Sequence, residues 1–67
     1  MLIKKSITIK KHRTSLSLEK EFWDALDTIA KKQKCSVENL VTMVDTNRKT
    51  SLASSIRVYL LKLHMKD

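Results

Sequence analysis

Residues 12–26 read HRTSLSLEKEFWDAL. Thr14, Leu16 and Leu18 alternate with Arg13, Ser15 and Ser17, the period-two pattern of a half-buried strand. Leu16 and Leu18 face one way; Arg13, Ser15 and Ser17 face the other. From Glu19 the period changes. Phe22, Leu26, Ile29 and Ala30 recur at helical spacing, and Trp23 and Ala25 widen the stripe. A strand therefore runs straight into a helix, with no loop residue between. Such a strand needs a partner, because unpaired backbone N–H and C=O groups beside an apolar core are costly.

The rest of the chain reads as helices. Helix one covers 19–33, with Ser17 as its expected cap and Lys31, Lys32 and Lys34 near its C-terminal end, where the dipole favours cations. Helix two covers 36–47, capped by Ser36, with Val37, Leu40, Val41 and Val44 as its apolar stripe. Helix three covers 51–65, capped by Thr50 or Ser51, with Leu52, Ile56, Tyr59, Leu60 and Leu63 facing inward. The chain contains no glycine, so the left-handed residue that ends helix one falls on Lys34 or Gln33 at a modest strain. The fold class is mainly α with one short β-strand, in a single domain spanning 1–67.

The strand expected at 13–18 follows a segment, 1–12, that reads as a basic arm. Ile7 and Ile9 alternate with Ser6 and Thr8, but their parity opposes that of Leu16 and Leu18. A bulge or turn around residues 10–12 is expected, with SITI as a separate extended arm. Residues 1–18 carry Lys4, Lys5, Lys10, Lys11 and Arg13 and no acid, within a chain of net charge +7. That charge suits a polyanionic partner.

At 67 residues a lone protomer buries little apolar surface, and small chains need a disulfide, a metal or a second subunit. The single cysteine, Cys35, excludes an internal disulfide, and His12 and His64 lie far apart. A second copy is the expected remedy. It also answers the unpaired strand: two antiparallel copies of RTSLSL make a two-stranded ribbon. Leu16, Leu18, Phe22, Trp23 and Leu26 of both chains then form a shared dimer core. A third helix is expected to pack across that dimer. Arg57, among apolar neighbours, is expected to pair with Asp45 or Asp27.

A two-stranded ribbon fits the major groove of double-stranded DNA. Arg13, Ser15 and Ser17 are the expected base contacts, Arg13 because it can bond guanine in bidentate fashion. Lys10, Lys11 and His12 are expected on the backbone, although His12 also reads as a buried donor fixing the turn. Ser36 and Val37, at the start of helix two, offer N–H groups to a phosphate, with Glu38 turned away from it. No Ser–His–Asp, metal-ligand or phosphate-loop constellation is present, so no enzymatic activity, metal or cofactor is expected. No apolar run reaches membrane-spanning length, and the stretch MLIKKSITIKK, with no uninterrupted apolar run or small-residue cleavage site, is not expected to act as a secretory signal.

These residues carry a resemblance. KKSITIKKHRTSLSLEKEFWDALDTIA, CSVENLVTMVD and SLASSIRVYLL resemble a bacterial subfamily of the ribbon-helix-helix fold of the Arc and methionine repressors. Its marks are a His-x-Thr-Ser core, a Leu-Glu-x-x-Phe-Trp-x-x-Leu helix start and a Leu-x-Ser-x-Ile/Leu-Arg-Val last helix. Here they fall on His12, Thr14 and Ser15; on Leu18, Glu19, Phe22, Trp23 and Leu26; and on Leu52, Ser54, Ile56, Arg57 and Val58. Lys11 and Lys34 stand where that subfamily often has glycine. The resemblance implies a ribbon-helix-helix homodimer with an extra C-terminal helix, acting as a cytoplasmic, nucleoid-associated bacterial repressor or autoregulator. An antitoxin is the alternative, although the chain ends on a helix with almost no tail; a protein-interaction adaptor without DNA binding is another.

Overall fold

The computed structural model describes residues 1–47 and 50–66, without the side chains of 65 and 66. Its elements in chain order are β1 (Leu2–Ile9), β2 (His12–Glu19), α1 (Lys20–Lys32), α2 (Val37–Thr46) and α3 (Leu52–Lys66). Positions 48 and 49, in the link expected between helices two and three, lie outside the described residues.

The strand that seemed to need a twin is paired within its own chain. β1 and β2 form an antiparallel two-stranded sheet, with Ile3 opposite Leu18, Lys5 opposite Leu16 and Ile7 opposite Thr14. The expected basic arm over 1–12 is thus mostly a strand. The expected shared roof of Leu16 and Leu18 covers a core inside one protomer. The parity conflict is resolved by a reversal of two residues, Lys10 and Lys11. Both have positive φ, 51° and 71°, as a type I′ hairpin turn requires. Asparagine and glycine usually fill such a turn; here two lysines accept the left-handed region. Two long-range contacts hold β1 in place. The Trp23 indole N–H donates to the Ile3 carbonyl at 2.9 Å, and the Thr8 N–H donates to a Glu38 carboxylate oxygen at 2.8 Å.

One core unites all five elements. Ile7 and Ile9 from β1 and Leu16 and Leu18 from β2 meet Trp23, Leu26 and Ala30 of α1, Leu40 and Val41 of α2, and Ile56 and Leu60 of α3. Phe22 and Tyr59 are only partly buried at its margin. Trp23, expected at a dimer core, is buried in its own protomer.

The helix ends differ in part from expectation. Residue Glu19 caps α1 with extended backbone and no side-chain bond, so Ser17 is not the cap. Parity explains this: Ser17 lies two residues back, on the outward face of β2. Ser36 caps α2, its hydroxyl accepting from the Asn39 N–H at 3.0 Å. Ser51 caps α3, accepting from the Ser54 N–H at 3.2 Å.

The end of α1 closes through a pair of characteristic bonds. The Cys35 N–H donates to the Ala30 carbonyl at 2.9 Å and the Lys34 N–H to the Lys31 carbonyl at 3.2 Å. This is a Schellman motif, with Lys34 at φ 56° in the glycine position. Cys35 packs against the core beside it. A Lys34→Gly substitution relieves the Cβ clash of the left-handed conformation and is expected to stabilise the fold by about 1 kcal/mol. Thermal unfolding should show a rise of roughly 4–8 °C; a fall would contradict the strain.

Candidate nucleic-acid interface

The sheet has two unlike faces. The inner face buries Ile7, Ile9, Leu16 and Leu18 against the helices. The outer face carries three cross-strand polar pairs: Lys4 opposite Ser17, Ser6 opposite Ser15 and Thr8 opposite Arg13. Arg13 and Ser15 are exposed, and Ser17 is half-buried. Lys10, Lys11 and His12 are exposed at the hairpin tip. His12 is therefore not the buried donor expected to fix the turn; the reversal is made by the backbone of the two lysines.

The two neighbouring lysines of β1 take different sides. Lys4 faces outward with Ser17. Lys5 shares the inward parity of Ile3 and Ile7 and holds its ammonium 4.9 Å from the centre of the Trp23 ring, within cation–π range.

The edges are unlike too. A two-residue hairpin loop makes Ile9 and His12 a hydrogen-bonded pair. By alternation, Ile7–Thr14, Lys5–Leu16 and Ile3–Leu18 are bonded pairs as well. The N–H and C=O groups of Thr8, Ser6 and Lys4 therefore point away from β2, and those of Arg13, Ser15 and Ser17 point away from β1. The Glu38 bond to Thr8 agrees with this alternation and occupies the β1 edge. Glu38 thus turns to the sheet rather than lying across the start of α2. The sheet order is β1-β2, so among the described residues no strand borders the far edge of β2.

That far edge ends at an ion pair. Arg57 of α3 donates through Nη2 and Nε to one oxygen of Glu19, at 2.9 and 3.2 Å. Its partner is neither Asp45 nor Asp27, because α3 crosses beside the end of β2. The Glu19 carboxyl is held below the usual carboxylate range, first by its own backbone N–H and then by the Arg57 guanidinium. Arg57 also lies 5.7 Å from the centre of the Phe22 ring. From this point a groove lined by Phe22, Ala25, Val58 and Leu61 runs between α1 and α3. Val58 and Leu61 are exposed there.

Sequence reasoning found the β2 half of the polar face and missed Lys4, Ser6 and Thr8. The alternation of Ser6 and Thr8 with Ile7 and Ile9 was its available signal. Val37, in the first turn of α2, shares a cleft with Lys5, Ser6 and Ile7 of β1, and Ser36 is the cap before it. Among the described residues no group of three or more His, Cys, Asp or Glu side chains can hold a metal ion. No helix among them is long and apolar enough to cross a membrane.

A family model described as a ribbon-helix-helix domain matches residues 2–63. No match emerges among curated proteins, and none among solved structures.

Proposed function

Since the chain belongs to the ribbon-helix-helix family, whose members generally bind DNA as transcription regulators or antitoxins, we propose that it is a sequence-specific double-stranded DNA-binding regulator working as a homodimer. The supporting observation is the outward polar face of β2 beside an edge that no strand borders.

Two copies join along that edge. The outward-pointing groups are those of Arg13, Ser15 and Ser17; an antiparallel pairing centred on Ser15 uses all three, with Ser15 opposite its own copy and Arg13 opposite Ser17 of the partner subunit. The arrangement is isologous. It keeps all six polar side chains on one face and all helices on the other. The α1–α3 groove starts at the end of the same edge, and the second copy extends over Val58 and Leu61. The dimer thus pairs β2 strands that are already paired with β1 on their other side.

Arg13, Ser15 and Ser17 of both copies enter the major groove and contact base edges. Lys10, Lys11 and His12 at the hairpin tips, with the N–H groups at Ser36 and Val37, meet phosphates. In this reading the protein is a repressor or autoregulator.

Two measurements test the reading. Selection from random duplexes should return a palindromic consensus. If about six phosphates are neutralised, the logarithm of the binding constant should fall with the logarithm of salt at a slope of about −5; a flat response contradicts it. For the dimer, Ser15→Pro removes an N–H aimed at the second copy and spares the β1–β2 bonds. It should yield a folded monomer in sedimentation. Thr14→Pro removes an N–H aimed into the hairpin and should disrupt the fold itself. A dimer that survives Ser15→Pro would refute pairing through β2.

A further inference from the structure

We propose that β1 is a phosphate-gripping strand: in the bound dimer Lys4, Ser6 and Thr8 lie against the two sugar–phosphate walls of the groove, while only β2 reaches bases. The inference rests on the β2-paired dimer proposed above and adds a second set of contacts to its face.

The argument is geometric. Pairing through β2 makes a four-stranded sheet in the order β1-β2-β2-β1. Neighbouring strands lie about 4.8 Å apart, so the two outer strands are roughly 14 Å apart between their axes. The major groove is about 12 Å wide and takes two strands. The central β2 pair fits within it. The two β1 strands fall over its rims, where the duplex presents phosphates.

The side chains of β1 suit that position. Lys4, Ser6 and Thr8 are all exposed and share the outer face with Ser17, Ser15 and Arg13 through the register. An ammonium and two hydroxyls are phosphate donors. The outer face carries no acid between Lys4 and Thr8; the Glu38 carboxylate lies at the β1 edge, bonded to the Thr8 N–H at 2.8 Å. Lys5, next to Lys4, is a built-in control: it faces the other side of the sheet and engages the Trp23 ring at 4.9 Å.

The test is a salt titration of binding to a selected duplex. In Lys4→Ala one phosphate contact is lost per copy, two per dimer, so the slope should shrink by about 1.8, from about −5 to about −3. Affinity should fall evenly across sequences, with the consensus unchanged. Lys4→Arg should restore the slope, and Lys5→Ala should leave it at the wild-type value. Ser6→Ala and Thr8→Ala should weaken binding without changing the consensus. An unchanged slope in Lys4→Ala would overturn the proposal, as would an altered consensus in Ser6→Ala or Thr8→Ala, which would place β1 inside the groove. Either result leaves DNA binding intact. Failure of the wild-type chain to bind any duplex would instead strike the DNA-binding reading, and this proposal with it.

Discussion

Leu18→Ala is expected to lower the stability of the protomer by about 2–5 kcal/mol. Leu18 is fully buried, with Leu26, Leu40, Val41 and Ile56 the other side chains at this depth. It sits on the inner face of β2, opposite Ile3, where the sheet meets the helices. Truncation removes its transfer free energy and leaves a cavity that neighbours on separate elements cannot collapse to fill. A chain of this length has a total stability on the order of 3–10 kcal/mol. The loss is therefore a large fraction of the whole. Urea unfolding followed by circular dichroism should show the midpoint fall steeply or the folded baseline vanish. Ser17→Ala, one residue away on the outer face, should change stability by no more than about 0.5 kcal/mol. Similar midpoints for the two variants would contradict the assignment of faces on which the DNA-binding reading depends.

Arg13→Ala is expected to weaken binding to the selected duplex by about 1–3 kcal/mol and to relax preference at one position in each half-site. Arg13 is exposed on the outer face, opposite Thr8 and near the hairpin tip. Its guanidinium can bond guanine O6 and N7 together, which a lysine ammonium matches less well. Arg13→Lys should therefore keep much of the salt slope while still blurring the consensus. This separates base reading from charge. Competition binding against duplexes altered at single positions measures both. An Arg13→Ala variant with an unchanged consensus would show that Arg13 holds phosphate or nothing, and the reading face would have to be sought elsewhere.

The hairpin also bears on how the proposed dimer would form. A single strand per chain would leave the core roof incomplete until a second copy arrived. Here β1 completes the roof within each protomer, and Trp23 and Glu38 fasten it there. In the proposed dimer a second copy would meet a sheet that is already formed. That copy would add backbone pairing along β2 and apolar contact at Val58 and Leu61, while the protomer keeps a core of its own. This sets the fold-breaking Leu18→Ala apart from the dimer-breaking Ser15→Pro.

Features that depend on near neighbours were legible in the residues alone. The alternation of TSLSL defined a strand with a polar face. The stripe through Phe22, Leu26 and Ile29 defined a helix, Ser36 and the pair Thr50 or Ser51 marked helix starts, and the absence of glycine assigned left-handed strain to Lys34 or Gln33. Each signal lies within a few residues of its consequence, because helix and strand periods and cap bonds are local. The partner of β2, the partner of Arg57 and the sides taken by Lys4 and Lys5 emerge only from the packed chain. The parity of the two segments signalled a turn near residues 10–12, but not that Lys10 and Lys11 would make it a tight reversal pairing β1 with β2. β1 is then held by contacts 20 residues away at Trp23 and 30 residues away at Glu38. A strand's edge is indifferent to the identity of the strand beside it, and only the packing of the whole chain determines which one arrives.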